Sequence, residues 1–311
     1  MNMAKKNILV TGAGGFAGRN ISEYLGAKQD KYRVFAARHA DLELLDEKAV
    51  KDFISGKKID IVIHCANCGD YRKNAPGERD ADAIAKNLRM FFDLARALPA
   101  SARMINLGSG AEYDKRNLLH KVKEDDFDRD VPVDAYGFSK YVISKYIEKA
   151  KNIVCLRLFG LYGKYEDYRY TFISNAIVKN LLGMPIVINQ NVLFDYLCIN
   201  DLVRLVEKFI AHKPAHKHYN ATPAEPIDLL SLARLVNMAG ARKSEVRVLN
   251  PGLNREYTGG NARLLAEFPG FKFTPYAEGV KELYAYYSAN LQKLDAAAVK
   301  ADRYIKNCGT L

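Results

Sequence analysis

The amino-acid sequence predicts an α/β protein: a doubly wound parallel sheet with a smaller, loop-rich C-terminal substrate lobe. Three observations lead there. Short β-branched runs alternate with longer segments of helical spacing from Asn7 to about Arg157. Strands separated by helices of this length pair in parallel, because parallel neighbours need crossover connections. A glycine-rich turn, Thr11 to Gly18, joins the first strand to the first helix, the place where such folds receive an anion.

Each element has its own signal. Asn7-Ile8-Leu9-Val10 is apolar and short enough for a buried strand, and Phe16 to Leu25 is a helix entered through glycines. Arg33 to Ala37 forms the second strand, Glu47 to Ile54 a helix, and Ile59 to His64 the third strand. Ala81 to Leu98 carries apolar residues at helical spacing, Met104 to Leu107 is a strand, Tyr141 to Ala150 a helix and Ile153 to Leu156 a strand. Beyond Arg157 the pattern loosens. Tyr162 to Asn175 is rich in Tyr and charge, and Pro and Gly punctuate short elements as far as Gly260. Residues 1–160, with 192–212 returning to them, are expected to form the dinucleotide-binding domain; 161–191 and 213–283 form the substrate lobe, and 284–311 a helical tail.

Composition narrows the class. The 311 residues are 49% hydrophobic and 27% charged, which excludes disorder, collagen and a disulfide scaffold. Five cysteines in a long chain fit reduced thiols. Neither a secretory signal nor an apolar run of membrane-spanning length is present, so a cytoplasmic protein with no membrane partner is expected. The net charge of +11 is compatible with nucleic acid, an anionic membrane or a polyanionic small molecule. The basic residues are spread over both lobes without a run of five or six, so no nucleic-acid partner is expected.

In Thr11-Gly12-Ala13-Gly14-Gly15-Phe16-Ala17-Gly18 the spacing supplies a glycine for the tight turn, one for close approach of a pyrophosphate and one where helix meets sheet. Between a strand and a helix this is the Rossmann dinucleotide signature. Arg38 and His39 follow the second strand, where an acidic residue would hold the ribose of NAD, and so favour the 2′-phosphate of NADP. Tyr136 and Lys140 lie one helical turn apart, and an ammonium there makes a phenol a usable proton donor. The same spacing at Tyr24/Lys28 and Tyr141/Lys145 reads as solvated helix face. Ser109, at the end of the Met104–Leu107 strand, selects Tyr136, because strand-end serine followed by Tyr-x-x-x-Lys is a demanding combination.

With these residues the chain resembles the extended short-chain dehydrogenase/reductase family, of the NAD-dependent epimerase/dehydratase type. The likeness continues through His64-Cys65-Ala66-Asn67, Asn87, Arg157 to Gly163, Phe194 to Asp201, Tyr219 to Thr222 and Pro251 to Arg255. The segment Leu42 to Asp46, with Ala49 to Phe53, is similar to the GDP-L-fucose synthase and nucleotide-sugar 4-reductase branch. The resemblance implies that Tyr136 donates or accepts the proton, that Lys140 is its partner and a ribose ligand, and that Ser109 donates a hydrogen bond to the carbonyl. It implies cofactor contacts from Gly12, Gly15, Phe16, Gly18, Arg38, Ala66, Asn87 and Lys140. Tyr162, Asn175 and Arg255 would contact substrate, Arg255 at the diphosphate. A homodimer through the helices carrying Asn87 and Tyr136 is also implied.

Departures from the family narrow the chemistry. The adjacent Asp and Glu of sugar 4,6-dehydratases correspond to Gly110 and Ala111, with Glu112 one residue out of register. Ala111 also stands where fucose synthase has its epimerising cysteine, and Thr171 or a neighbour where it has a histidine. Hydride transfer at one carbon remains: an NADPH-dependent reductase of a nucleotide-diphosphate 4-keto-6-deoxy sugar, or a C4 epimerase with retained NAD. A non-catalytic dinucleotide sensor of the same fold is a third reading, against which Ser109, Tyr136 and Lys140 speak. Phe194 replaces the arginine common in the family, removing one phosphate contact. No metal site is expected, since Cys65-x-x-Cys68 has no second pair and the six histidines lack ligand spacing. The two thiols read as buried and inert. Tyr165, Tyr168, Arg169 and Tyr170 either stack a base or form a surface loop.

Overall fold

A computed structural model describes residues 5–68 and 82–308. The first half alternates as the sequence predicts: β1 (Lys6–Thr11), α1 (Phe16–Gly26), β2 (Tyr32–Ala37), α2 (Glu47–Gly56), β3 (Ile61–His64), α3 (Ala83–Ala97) and β4 (Arg103–Ser109). Ala81, given above as the start of the third helix, lies outside the described residues. A 3-10 turn (Gly110–Tyr113) follows, then β5 (Leu119–Val122), α4 (Ala135–Lys149), β6 (Ile153–Leu158) and β7 (Gly160–Tyr162). The helix expected from Tyr141 begins at Ala135, because the Asp134 side chain caps it by accepting the Gly137 amide at 2.9 Å.

The second half comprises α5 (Phe172–Leu181), β8 (Ile186–Asn191), β9 (Leu193–Phe194), β10 (Tyr196–Cys198), α6 (Ile199–Ala211), β11 (His218–Asn220) and β12 (Ile227–Asp228). After these come α7 (Leu229–Ala239), β13 (Val246–Leu253), β14 (Tyr257–Gly259), α8 (Ala262–Glu267), α9 (Tyr276–Ala289), α10 (Ala296–Lys300) and α11 (Arg303–Lys306).

Six strands form the main sheet in the order β2–β1–β3–β4–β6–β11, every pair parallel. The chain moves outward from β1 in one direction to β2 and in the other to β3. The two crossovers therefore diverge at the carboxyl ends of β1 and β3, leaving a crevice there. One apolar cluster, with Ile8, Val10, Leu205 and Phe209, fills one face of the sheet; a second, with Leu9, Val62, Phe91 and Ile147, fills the other. Burial on both faces explains why β1 and β3 read as continuous apolar runs.

The expected division needs three corrections. Strand β11, from the segment assigned to the substrate lobe, pairs with β6 as the sheet's last strand. Leu264 and Phe268, from the same segment, pack into the cluster containing α6. The proposed tail does not begin at Tyr284: α9 runs unbroken through that position, and Tyr287 and Val299 are buried in the C-terminal core with Phe172 and Ile177. Period alone cannot assign an element to one lobe, because the partner that covers its apolar face is distant in sequence.

Among the described residues there are three further small sheets: β7 with β10, β8 with β13, and a four-stranded one in the order β12–β9–β14–β5. The last links the segment following the 3-10 turn to the C-terminal lobe.

Candidate functional site

The glycine turn is shaped by close approach. Gly12 has φ +64°, and a Cβ there would lie 2.7 Å from the Ala66 amide nitrogen, so the β1–α1 turn and the end of β3 touch backbone to backbone. A Cβ on Gly18 would press on the Gly12 carbonyl. Thr11 fastens the junction. Its Oγ1 accepts the Cys65 amide at 3.2 Å and the Ala66 amide at 3.4 Å, and its hydroxyl is left to donate to His64 Nδ1 at 2.9 Å. Burial and the Lys140 charge push His64 down to about 3, so the imidazole stays neutral. No side chain caps α1 at Gly15, which leaves first-turn amides available to an anion.

Beside this turn opens a cleft of about 340 Å³ whose walls include Gly12, Gly15, Arg38, Glu43, Leu44 and Ala66. The Arg38 guanidinium is largely exposed at its edge, 3.3 Å from Asp41. Phe16 instead packs against the apolar cluster of β1 and α6. Asn87 uses both side-chain polar atoms on Cys68, accepting its amide at 2.7 Å and donating to its carbonyl at 3.1 Å. It is a latch on the loop after β3, and that loop lines the cleft. Cys65 and Cys68 carry thiols rather than a disulfide, half-buried rather than buried, and desolvation pushes Cys65 up to about 12. Cys65 is therefore inert at neutral pH, as its sequence context suggested.

At the carboxyl end of β4, α4, which bears Tyr136 and Lys140, packs on the 3-10 turn that Ser109 caps. Ser109 caps the 3-10 turn: its Oγ accepts the Ala111 amide at 3.1 Å, and its own amide donates to Glu112 Oε1 at 2.9 Å. Tyr136 lies in the first turn of α4, half-buried. The Lys140 ammonium donates to the Leu107 carbonyl at 3.1 Å and stands 5.8 Å from the Tyr136 ring centroid. A second ammonium, that of Lys115, stands 5.9 Å from the same ring. A phenol with two ammonium groups within 6 Å of its ring is suited to passing a proton to a nearby oxygen.

The substrate side differs from the expectation. Tyr162 is 1% exposed and belongs to the C-terminal core, where Gly279 makes room for its hydroxyl. Asn175 is 2% exposed, and its Nδ2 donates to the Tyr168 carbonyl at 3.0 Å. Both are structural, because the close packing of α5, β7 and α9 encloses them. Arg255 is exposed, and its Nη1 donates to the Arg116 carbonyl at 2.8 Å, which brings it to the loop after the Ser109 turn. Thr171 donates to the Asp167 carbonyl at 3.0 Å and adds no titratable group at the position of the family histidine. Arg169 pairs with Asp167 at 2.7 Å, and Tyr165 donates to Glu23 at 2.9 Å, which makes this segment a hydrogen-bonded surface loop.

Phe194 stacks on Tyr196 and on Tyr257, each at 4.8 Å between ring centroids, and Tyr257 meets Phe159 at 5.1 Å. A Cβ on Gly110 would lie 2.7 Å from the Tyr257 hydroxyl, so this aromatic group walls the space next to Ser109. Phe194 thus packs where the family arginine would carry charge. Glu112 is fully buried beneath the turn, so it is not a carboxylate facing substrate. Sequence reasoning missed Thr11, Lys115 and this aromatic wall. The position of Thr11 next to the glycine turn was the only signal among them. Among the described residues no group of three or more His, Cys, Asp or Glu could hold a metal, and no helix is long and apolar enough to cross a membrane.

Comparison with known proteins supplies the broader setting. A sequence model described as the NAD dependent epimerase/dehydratase family matches residues 8–222. GDP-L-colitose synthase of Yersinia pseudotuberculosis is 24% identical over 190 residues, 56% of this chain and 60% of that protein. The chain thus spans less than two thirds of that relative's length. UDP-glucose 4-epimerase of Vibrio cholerae is 25% identical over 256 residues, 75% of this chain and 76% of that protein. Among solved structures, a GDP-L-fucose synthetase of Naegleria fowleri bound to NADP superposes with a TM-score of 0.79 at 17% identity, covering 94% of this chain and 97% of the other.

Proposed function

Because the chain belongs to the NAD dependent epimerase/dehydratase family, we propose that it reduces the keto group of a nucleotide-diphosphate 4-keto-6-deoxy sugar at the expense of NADPH. The observation that carries this reading is the packing of the helix bearing Tyr136 and Lys140 on the turn that Ser109 caps, with the Lys140 ammonium on the Leu107 carbonyl of the same strand end. Gly12, Gly15 and Ala66 would cradle the pyrophosphate, since any side chain at Gly12 would occupy the space where the two backbones meet. Arg38 would face the 2′-phosphate. When bound, the dihydronicotinamide supplies a hydride to the carbonyl carbon. Ser109 donates a hydrogen bond to the carbonyl oxygen, Tyr136 gives that oxygen its proton, and Lys140 stabilises the phenolate left behind. The ketone would thereby become an alcohol. Arg255, on the exposed loop beside Arg116, would meet the substrate diphosphate. The same reading has the chain pair through α3 and α4, where Tyr146 is 43% exposed while packing edge-on to Phe91 and Phe92.

A second reading, C4 epimerisation with retained NAD, is favoured by Glu43, an acid in the cleft wall that would hold ribose hydroxyls. Similarity to UDP-glucose 4-epimerase points the same way. A panel of nucleotide sugars, assayed by mass spectrometry with NADPH and with NADH, separates the two. Stoichiometric oxidation of NADPH, with weaker use of NADH, supports the reductase. Interconversion without added cofactor supports the epimerase, and no change in any sugar contradicts both.

A further inference from the structure

Glu112 and Arg157 are both 0% exposed and form an ion pair, Oε2 to Nε at 2.7 Å, under the strand end that carries Ser109. Three bonds converge on the Glu112 carboxylate. Besides Arg157, Oε2 accepts from Ser144 Oγ at 2.6 Å on α4, and Oε1 accepts the Ser109 amide at 2.9 Å. The chain of contacts continues. Arg157 Nη1 donates to Tyr113 Oη at 2.8 Å, and that hydroxyl donates to Asn220 Oδ1 at 2.7 Å. Asn220 Nδ2 in turn reaches the Val122 carbonyl at 2.8 Å, on the small sheet that bears Tyr257. A buried ion pair is a poor way to gain stability, because an apolar pair of similar volume avoids the desolvation it requires. Its presence beneath the 3-10 turn therefore calls for a role that an apolar pair could not fill.

We propose that Glu112 is a positioning residue for Ser109. The carboxylate holds the Ser109 amide while the Ser109 Oγ accepts the Ala111 amide. These two bonds fix the serine rotamer and occupy one lone pair of its oxygen, so the hydroxyl hydrogen remains for the reacting oxygen. Arg157 neutralises the carboxylate, and Ser144 ties it to the helix that presents Tyr136 and Lys140. Proton donor and hydrogen-bond donor are thereby held in one frame. The Gly108–Arg157 register between β4 and β6 places the guanidinium where it can do this. The inference rests on the reading of Ser109 as donor to the substrate carbonyl.

A double-mutant cycle tests it, using the full chain, NADPH and the nucleotide sugar that the panel identifies as substrate. Glu112→Gln should lower kcat about 10- to 100-fold, the range a misplaced catalytic group incurs, with the KM for NADPH within about twofold. In a Ser109→Ala background the same change should cost less than about threefold, because the residue it positions is gone. Losses that multiply in the double variant would show a general structural role and overturn the proposal, as would full turnover in Glu112→Gln. Full turnover in Ser109→Ala would instead overturn the role of Ser109, and the proposal with it. If Glu112→Gln does not fold, Ser144→Ala removes one bond and keeps the charge. It should lower kcat by a smaller factor that also vanishes in the Ser109→Ala background, and a loss that persists there overturns the proposal.

Discussion

His218 shows how one buried side chain sets a pH dependence of stability. The residue is 7% exposed, its ring stacks on Phe127 at 5.8 Å, and among the described residues neither nitrogen has a hydrogen-bond partner. Burial first, then the charges of Arg157 and Arg263, pushes it down to about 2. The unfolded chain takes up this proton near pH 6.5, whereas the folded chain refuses it until about pH 2. The unfolded state thus binds more protons over that interval, and stability falls as pH falls. His64, held at about 3, acts with the same sign. His218→Phe keeps the stacked ring and removes the titration. The variant should gain on the natural protein by about 1.4 kcal/mol for each pH unit below about 6.5. Thermal midpoints between pH 7 and pH 5 check this, and parallel curves for the two proteins would contradict it.

At the scale of elements, the turn between β1 and α1 carries the most specific demand. Gly12→Ala places a methyl group against the Ala66 backbone at a φ of +64°. It should cost about 1–3 kcal/mol of stability and reduce dinucleotide affinity more than tenfold, as measured by melting and by titration with NADPH. Unchanged affinity would show that the turn does not approach the cofactor. The glycine turn was legible in the sequence because it lies between two elements of clear period, and so was Ser109 at a strand end. The Glu112–Arg157 pair was not legible as a pair, since it depends on the register of two strands. Tyr162 misled for a related reason. Its motif sits at the edge of the sheet, but the space for its hydroxyl comes from Gly279 on α9. Asn87 and Asn175 likewise face backbone atoms whose positions only the folded chain defines.

Across the whole molecule, the fold converts a sheet reversal into a crevice lined by residues of the first lobe. The net charge of +11 has a partial explanation at that scale. On the proposed reading, Arg38 at the cleft edge, Lys115 and Lys140 at Tyr136, and Arg255 beside Arg116 would meet the phosphates of cofactor and substrate. The lobe division was less legible than the elements, because β11 and α8 return to the first lobe after long excursions. The central claim is that Tyr136 delivers the proton while Ser109 holds the reacting oxygen. Tyr136→Phe tests it most directly, because it removes one oxygen and leaves the ring near the two ammonium groups. Turnover of the nucleotide sugar should fall about 10²- to 10⁴-fold, while NADPH binds with nearly natural affinity. Undiminished turnover in Tyr136→Phe would contradict the account.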